Sequence, residues 1–414
     1  MGVVALGGLV LRLAYVLAVR DELTGDGFYY HQGANLLADG KGFINPLVYV
    51  VSGQEVASAF HPPAWLVVLS VPALLGFRTF LEQQIFACLV GTATIVVIGF
   101  AGRRVAGGRA GLIAAAIAAL YPNLWLYERE LLSETLAFFL VALVILLALR
   151  FRDGPTPLSA VALGALCGVL VLTRSEQIML LGLLLVPLVV FASSLTWWRR
   201  IGLLALAGSV AVVVIAPWAI YNTSRFEEPV LLSTQFGNTL AAANCDAVYY
   251  GEFLGYREPS CSRQIGVQGR DEAATSGDAS TTDEELRRQA TDYIRDNKTR
   301  LPVVVMAREG RVWGLFRPFQ QMHLDQARRT GLWVIRLGFF AYWLHLAAAV
   351  VGAVILFRRH APVWPLLVFV VIVAVSVAIT FGQTRYRAPA EVPIVLLAAV
   401  AVDGMARSRA PTPQ

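Results

Sequence analysis

Long apolar runs separated by short polar segments dominate this chain. A membrane-crossing helix needs about 20 mostly apolar residues. Runs near that length are Val3–Val19, Gln84–Gly102, Ala110–Leu126, Ser133–Leu149, Leu158–Leu172, Ile178–Ala192, Ile201–Tyr221, Leu332–Phe357, Val363–Phe381 and Val392–Val402 with its flanks. Pro62–Phe77 is apolar but short and carries Pro62, Pro63, Pro72 and Gly76. It fits an interfacial or re-entrant helix, tolerable where protein shields its backbone. After the first run comes "TGDGFYYHQGANLLADGKGF", Thr24–Phe43, in which Tyr29, Gly33, Leu36 and Leu37 share one helical face. This predicts an amphipathic helix on the membrane surface. The long polar region 222–331 contains a Ser/Thr/Asp/Glu-rich stretch, Gly269–Asp283, then one or two amphipathic helices interrupted at Pro302. The pattern therefore predicts an all-α polytopic membrane protein with about 10–11 transmembrane helices and interfacial helices in the first outer loop. It divides into residues 1–221 (with that loop at 20–62), 222–331 and 332–414.

Composition supports this. Apolar residues make up 57% of the chain and charged residues 15%, against about 25% charged in soluble domains. The net charge of +6 is then no sign of nucleic-acid binding, because basic residues of membrane proteins gather in cytoplasmic loops. Basic clusters fall at Arg103–Arg104 with Arg109, Arg150 with Arg152, Arg199–Arg200, Arg358–Arg359, and Arg407 with Arg409. Placing all of these inside puts Asp21–His61, Tyr127–Leu132, Thr173–Gln177, Asn222–Gly331 and Gly382–Glu391 outside, provided Pro62–Phe77 does not fully cross. Val3–Val19 lacks a basic flank and a cleavage site, so it is expected to remain as a helix. The Arg-rich, Lys-poor composition is that of a GC-rich bacterium, which implies a plasma (inner) membrane location. Cys88 and Cys167 lie in apolar runs and read as packing residues. Cys245 and Cys261, in a polar outer loop, can form a disulfide or remain free thiols.

The outer segments hold the candidate chemistry. Asp26 stands between Gly25 and Gly27 just past the first run, placed either to act as a general base on a hydroxyl or merely to cap a helix. His61 opens "FHPPAW" and could bind an anion or simply sit in a loop. Glu134 begins an apolar run, where it can hold a cation, orient a substrate hydroxyl, or pair with Arg129 or Arg174; "TRSEQ" places Arg174 and Glu176 at a similar depth. "FGQTRYRAPAE" carries Arg385 and Arg387 around Tyr386, suited to a phosphate or to lipid headgroups. The sequence has no HExxH, Cys/His tetrad, DxD, P-loop or GxGxxG. Sugar or phosphate chemistry here would need a donor arriving through the bilayer on a lipid.

In order along the chain, the first helix with its outer-loop Asp26, "HPP" at His61, Glu134 opening a helix, "PWAIYNTSRFEEPVLLSTQFGNTLAAAN" and the closing "RYR-x-P" resemble the GT-C glycosyltransferases. The likeness is to their family-39-like branch, with protein O-mannosyltransferases and the lipid A aminoarabinose transferase as relatives. The resemblance implies a polyprenyl-phosphate-sugar donor and inverting transfer to an extracytoplasmic hydroxyl on a glycan, lipid or protein. It implies Asp26 as catalytic base. Arg385, Arg387, His61 and Lys41 would hold the donor phosphate, with Glu134, Arg174, Tyr30 and Tyr386 positioning substrate. Relatives often pair two acidic residues, whereas Asp26 stands alone. No cofactor is assigned and a divalent cation stays open. The alternative is a flippase or transporter for a lipid-linked saccharide, which would show midplane charges and internal symmetry.

Overall fold

The computed structural model describes residues 1–19, 25–192, 195–261, 278–326 and 331–408. Most of the polar stretch Gly269–Asp283 lies outside them. Among the described residues there is no β-strand, only an isolated bridge between Ile44 and Ala57. Five helices are long and apolar enough to cross a membrane: Phe80–Ala106, Glu134–Asp153, Trp197–Thr223, Leu332–Arg358 and the segment Thr384–Arg407. Gly2–Ala18, Pro157–Val171 and Trp364–Ile379 are apolar but shorter. Ala64–Leu74 has 11 residues, which at about 1.5 Å each covers only half of a roughly 30 Å hydrocarbon core.

Prolines explain two departures from the predicted elements. Ala110–Leu126, expected as one run, is two helices, Gly108–Leu120 and Pro122–Arg129, bent by 45°. Pro122 supplies no N–H and forces Tyr121 into an extended conformation (φ −74°, ψ 113°). Ile178–Ala192 likewise becomes a 3₁₀ turn, Ser175–Met179, a π turn, Leu181–Leu185, and a short helix, Val186–Val190, around Pro187. Beyond the bilayer segments, Ala279–Asp296 packs on Phe236–Ala243, and Leu301–Val312 carries Pro302 in its first turn.

The bundle has two chemically distinct ends. At one, Arg104 pairs with Asp153, and Arg407 and Arg109 reach Asp403 at 2.8 and 3.5 Å. This end gathers three of the basic clusters. At the other lie the first turns of Phe80–Ala106 and Glu134–Asp153, the 3₁₀ turn Thr384–Arg387, and the helix Asp26–Ala38. Hydropathy passes over one charge inside the bundle. Arg12 of Gly2–Ala18 donates to Glu128 at 2.8 Å and to the carbonyls of Gly8, Ala118 and Ala119. Both side chains are almost fully buried, tying the first helix across the bent pair. Removing one partner of such a pair strands the other, so Glu128→Ala is expected to cost about 3–5 kcal/mol. A thermal melt in detergent checks this, and an unchanged curve would mean that the carbonyls alone carry the guanidinium.

Candidate active site

Local backbone chemistry sets Asp26. Gly25 adopts φ +58°, open to glycine with little strain, and the chain turns directly into the helix Asp26–Ala38 with Asp26 in its first turn. A carboxylate is favoured there by the helix dipole. The helix is not merely laid on a surface. It buries Tyr29, Tyr30, His31, Gly33, Ala34 and Leu36, and at Gly33 it fits so closely on Leu66 that a Cβ would lie 2.6 Å from the leucine side chain. His61 sits just before Pro62–Pro63, where Ala64 N donates to Leu172 O at 2.9 Å and the buried Trp65 indole donates to Leu131 O at 2.7 Å. The His61 ring stacks on Tyr30 at 4.9 Å and 18°. Tyr29 bonds Ser58 at 2.8 Å, and burial pushes its phenol up to about 12, so it stays protonated.

Two guanidiniums link three carboxylates at this end. Arg385 donates through Nη1 to Asp26 and through Nε to Glu134, with Nη2 on the second Glu134 oxygen at 3.2 Å. Arg174 donates to Glu134 at 2.6 Å and to Glu176 at 2.5 Å. His61 Nε2 lies 3.4 Å from Asp26 Oδ1. Glu134 is fully buried, whereas Asp26 keeps 30% of its side chain exposed. Burial pushes the Asp26 carboxyl up, but Arg385 and then His61 outweigh it and hold the group well below the usual carboxylate range. Asp26 is thus an ionised, oriented and accessible carboxylate.

It opens into a cavity of about 580 Å³. Tyr30, His61, Arg174, Glu176, Arg385 and Tyr386 line it beside Asp26. Phe60, Ile178, Met179, Leu231, Leu232 and Phe381 add apolar wall. A charged patch continuous with an apolar flank suits an amphiphile whose headgroup meets the ions.

Most residues singled out in the sequence converge here. Glu134 stands directly behind Arg385, and Arg174 lies 5.6 Å from the Tyr386 ring centre. Two do not converge. Arg387 donates to Glu391 at 2.7 Å and to Val312 O at 2.9 Å, with its guanidinium 3.5 Å from the Tyr342 ring centre. It lines a separate void of about 70 Å³, which Arg385 also borders. The reason is the 3₁₀ turn Thr384–Arg387. At about three residues per turn, side chains two apart point some 120° away from each other. Lys41 is also elsewhere, ion-paired with Glu55 at 2.6 Å near the surface. Cys245 and Cys261 are joined in a disulfide. The sequence reading missed Arg257 and Gln383, which line the cavity too; Arg257 could have been noticed as an arginine between those two cysteines. Among the described residues no three His, Cys, Asp or Glu side chains gather as a metal site. Asp26, Glu134 and Glu176 are each taken by a guanidinium, so this donor set does not fit a divalent cation.

Residues 61–221 match the family described as dolichyl-phosphate-mannose-protein mannosyltransferase. The whole fold is similar to that of an Archaeoglobus fulgidus oligosaccharyltransferase tethered to an acceptor peptide, with a TM-score of 0.55 at 13% identity over 98% of this chain and 50% of that one. The A. fulgidus oligosaccharyltransferase AglB, in complex with an inhibitory peptide and a dolichol-phosphate, gives 0.53 at 13% identity over 99% and 52%. ArnT from Cupriavidus metallidurans, bound to undecaprenyl phosphate, gives 0.47 at 16% identity over 98% and 78%. No curated protein matches by sequence. The chain spans about half the length of the oligosaccharyltransferases it resembles. The likeness to the oligosaccharyltransferases is one of fold.

Proposed function

We propose that this protein transfers a sugar from a polyprenyl-phosphate donor to a hydroxyl of an extracytoplasmic acceptor, with inversion. The observation that carries the reading is the Asp26 carboxylate, held ionised by Arg385 and facing a cavity with an apolar flank. The matched family's dolichyl-phosphate-mannose donor and the dolichol-phosphate bound by the archaeal neighbour support the donor class. Asp26 takes the proton of the acceptor hydroxyl as its oxygen attacks the anomeric carbon. The bond from that carbon to the phosphate oxygen breaks, and the lipid phosphate leaves with the electron pair. A single displacement inverts the centre. Charge growing on the leaving phosphate needs a cation on the wall of the same cavity. The positive-inside rule, applied to the opposite, arginine-rich end of the bundle, supports an extracytoplasmic site, and the Arg-rich, Lys-poor composition supports a bacterial plasma membrane. The acceptor is a cell-envelope glycan, lipid or protein.

Purified protein in detergent, given a labelled polyprenyl-phosphate sugar or the matching nucleotide sugar, should transfer label only from the lipid donor. Transfer from the nucleotide sugar alone would overturn the donor assignment. The pH profile follows from the site. A base whose pKa is depressed stays unprotonated as pH falls and is lost only below the ordinary carboxylate value of about 4. An acid limb near pH 6 would point to a different base.

A further inference from the structure

We infer that Arg257 is the residue that captures the donor's phosphate. This rests on the proposed lipid-phosphate donor and assigns its charge to a side chain. The cavity is lined by four arginines: Arg174, Arg257, Arg287 and Arg385. Three are already neutralised. Arg174 and Arg385 share Asp26, Glu134 and Glu176, three carboxylates for two guanidiniums. Arg287 holds Asp283 at 2.8 Å and Glu284 at 3.0 Å. A phosphate approaching any of these meets carboxylates of its own sign. Among the described residues Arg257 has no hydrogen bond or ion pair. Its guanidinium instead lies 5.6 Å from the Phe381 ring centre. Stacking on a ring leaves the N–H edge of a guanidinium open, the edge that matches a phosphate's oxygens.

The backbone around Arg257 is held in place before any ligand arrives. It belongs to the loop closed by the Cys245–Cys261 disulfide. Gly255, at φ +73°, packs so tightly on Ala307 and Arg308 that a Cβ would lie 2.7 Å from their backbone. Gly382 N donates to Gly255 O at 2.9 Å, and Glu258 N donates to Ala242 O at 2.8 Å. Gln383 donates to the Tyr256 hydroxyl at 3.2 Å. Both chain neighbours of Arg257 are therefore pinned, one of them to the segment leading into Arg385. A cation presented on a fixed loop loses little freedom on binding. The disulfide loop thus supplies the phosphate contact, and the Arg385 turn supplies the base and its partner.

The test compares undecaprenyl phosphate, undecaprenol and inorganic phosphate binding to the full chain in detergent, for wild type, Arg257→Ala and Arg257→Lys. Wild type is expected to bind undecaprenyl phosphate at least tenfold more tightly than undecaprenol and to ignore inorganic phosphate. Arg257→Ala should lose about tenfold for undecaprenyl phosphate, about 1.4 kcal/mol, with undecaprenol unchanged. Arg257→Lys should fall between. Because the side chain makes no hydrogen bond, all three proteins should melt alike. A phosphate preference that survives in Arg257→Ala would overturn this assignment and leave the donor class standing. No preference for undecaprenyl phosphate over undecaprenol in wild type would overturn both. Tight inorganic phosphate binding that Arg257→Ala abolishes would make the site a free-phosphate site and overturn the lipid assignment.

Discussion

Asp26→Asn is expected to abolish sugar transfer, by about 10²–10⁴-fold, the range a positioned general base contributes. The substitution keeps the size and shape of the side chain, and the amide oxygen still accepts from Arg385. It removes the one property the reaction needs, an available lone pair of sufficient basicity beside the acceptor hydroxyl. Asp26 retains solvent contact, so the loss of charge costs little packing. Expression, melting temperature and binding of the lipid donor should all stay near wild type. Transfer that persists at a near-normal rate would remove Asp26 as the base.

Arg385→Ala should be as severe for a different reason. Arg385 neutralises Asp26 and the fully buried Glu134 together. Its removal leaves Glu134 dependent on Arg174, which is also engaged by Glu176. A buried carboxylate losing one of two cations is expected to cost about 3–5 kcal/mol of stability. Transfer should drop about 10²–10³-fold, as when one preorganised charge is taken from a reacting centre. The sign of the pH effect separates this role from a purely structural one. Arg385 lowers the Asp26 pKa against burial, so without it the Asp26 pKa rises, and residual activity should fade at higher pH than in wild type. Arg385→Lys keeps the charge but not the planar fork that reaches two carboxylates at once; it should recover stability more than rate. Lost stability with an unmoved acid limb would reduce Arg385 to a strut.

Much of this was legible in the chain. Apolar runs, the amphipathic stretch from Tyr29 to Leu37 and the charged residues in the polar segments are local properties, readable within one or two helical turns. The proline-driven breaks at Pro122 and Pro187 were missed because hydropathy averages over a window and ignores a single absent N–H. Arg12 was missed for the same reason, since one charge barely dents a run of seventeen residues.

By itself the sequence determined an all-helical chain with membrane-length apolar runs, the position of Asp26, His61, Glu134, Arg174 and Arg385 in or beside the polar segments between those runs, and a likeness to one superfamily. Only the tertiary structure decided which of them meet. Asp26 and Arg385 are 359 positions apart, and nothing local dictates their contact. Arg385 and Arg387 look equivalent along the chain, yet a tight turn sends one to Asp26 and the other to Glu391. Arg257, unremarkable as a letter, stands out because, of the four arginines lining the cavity, it alone has no carboxylate partner among the described residues. Side-chain type is written in the sequence; direction and pairing come from how distant helices pack.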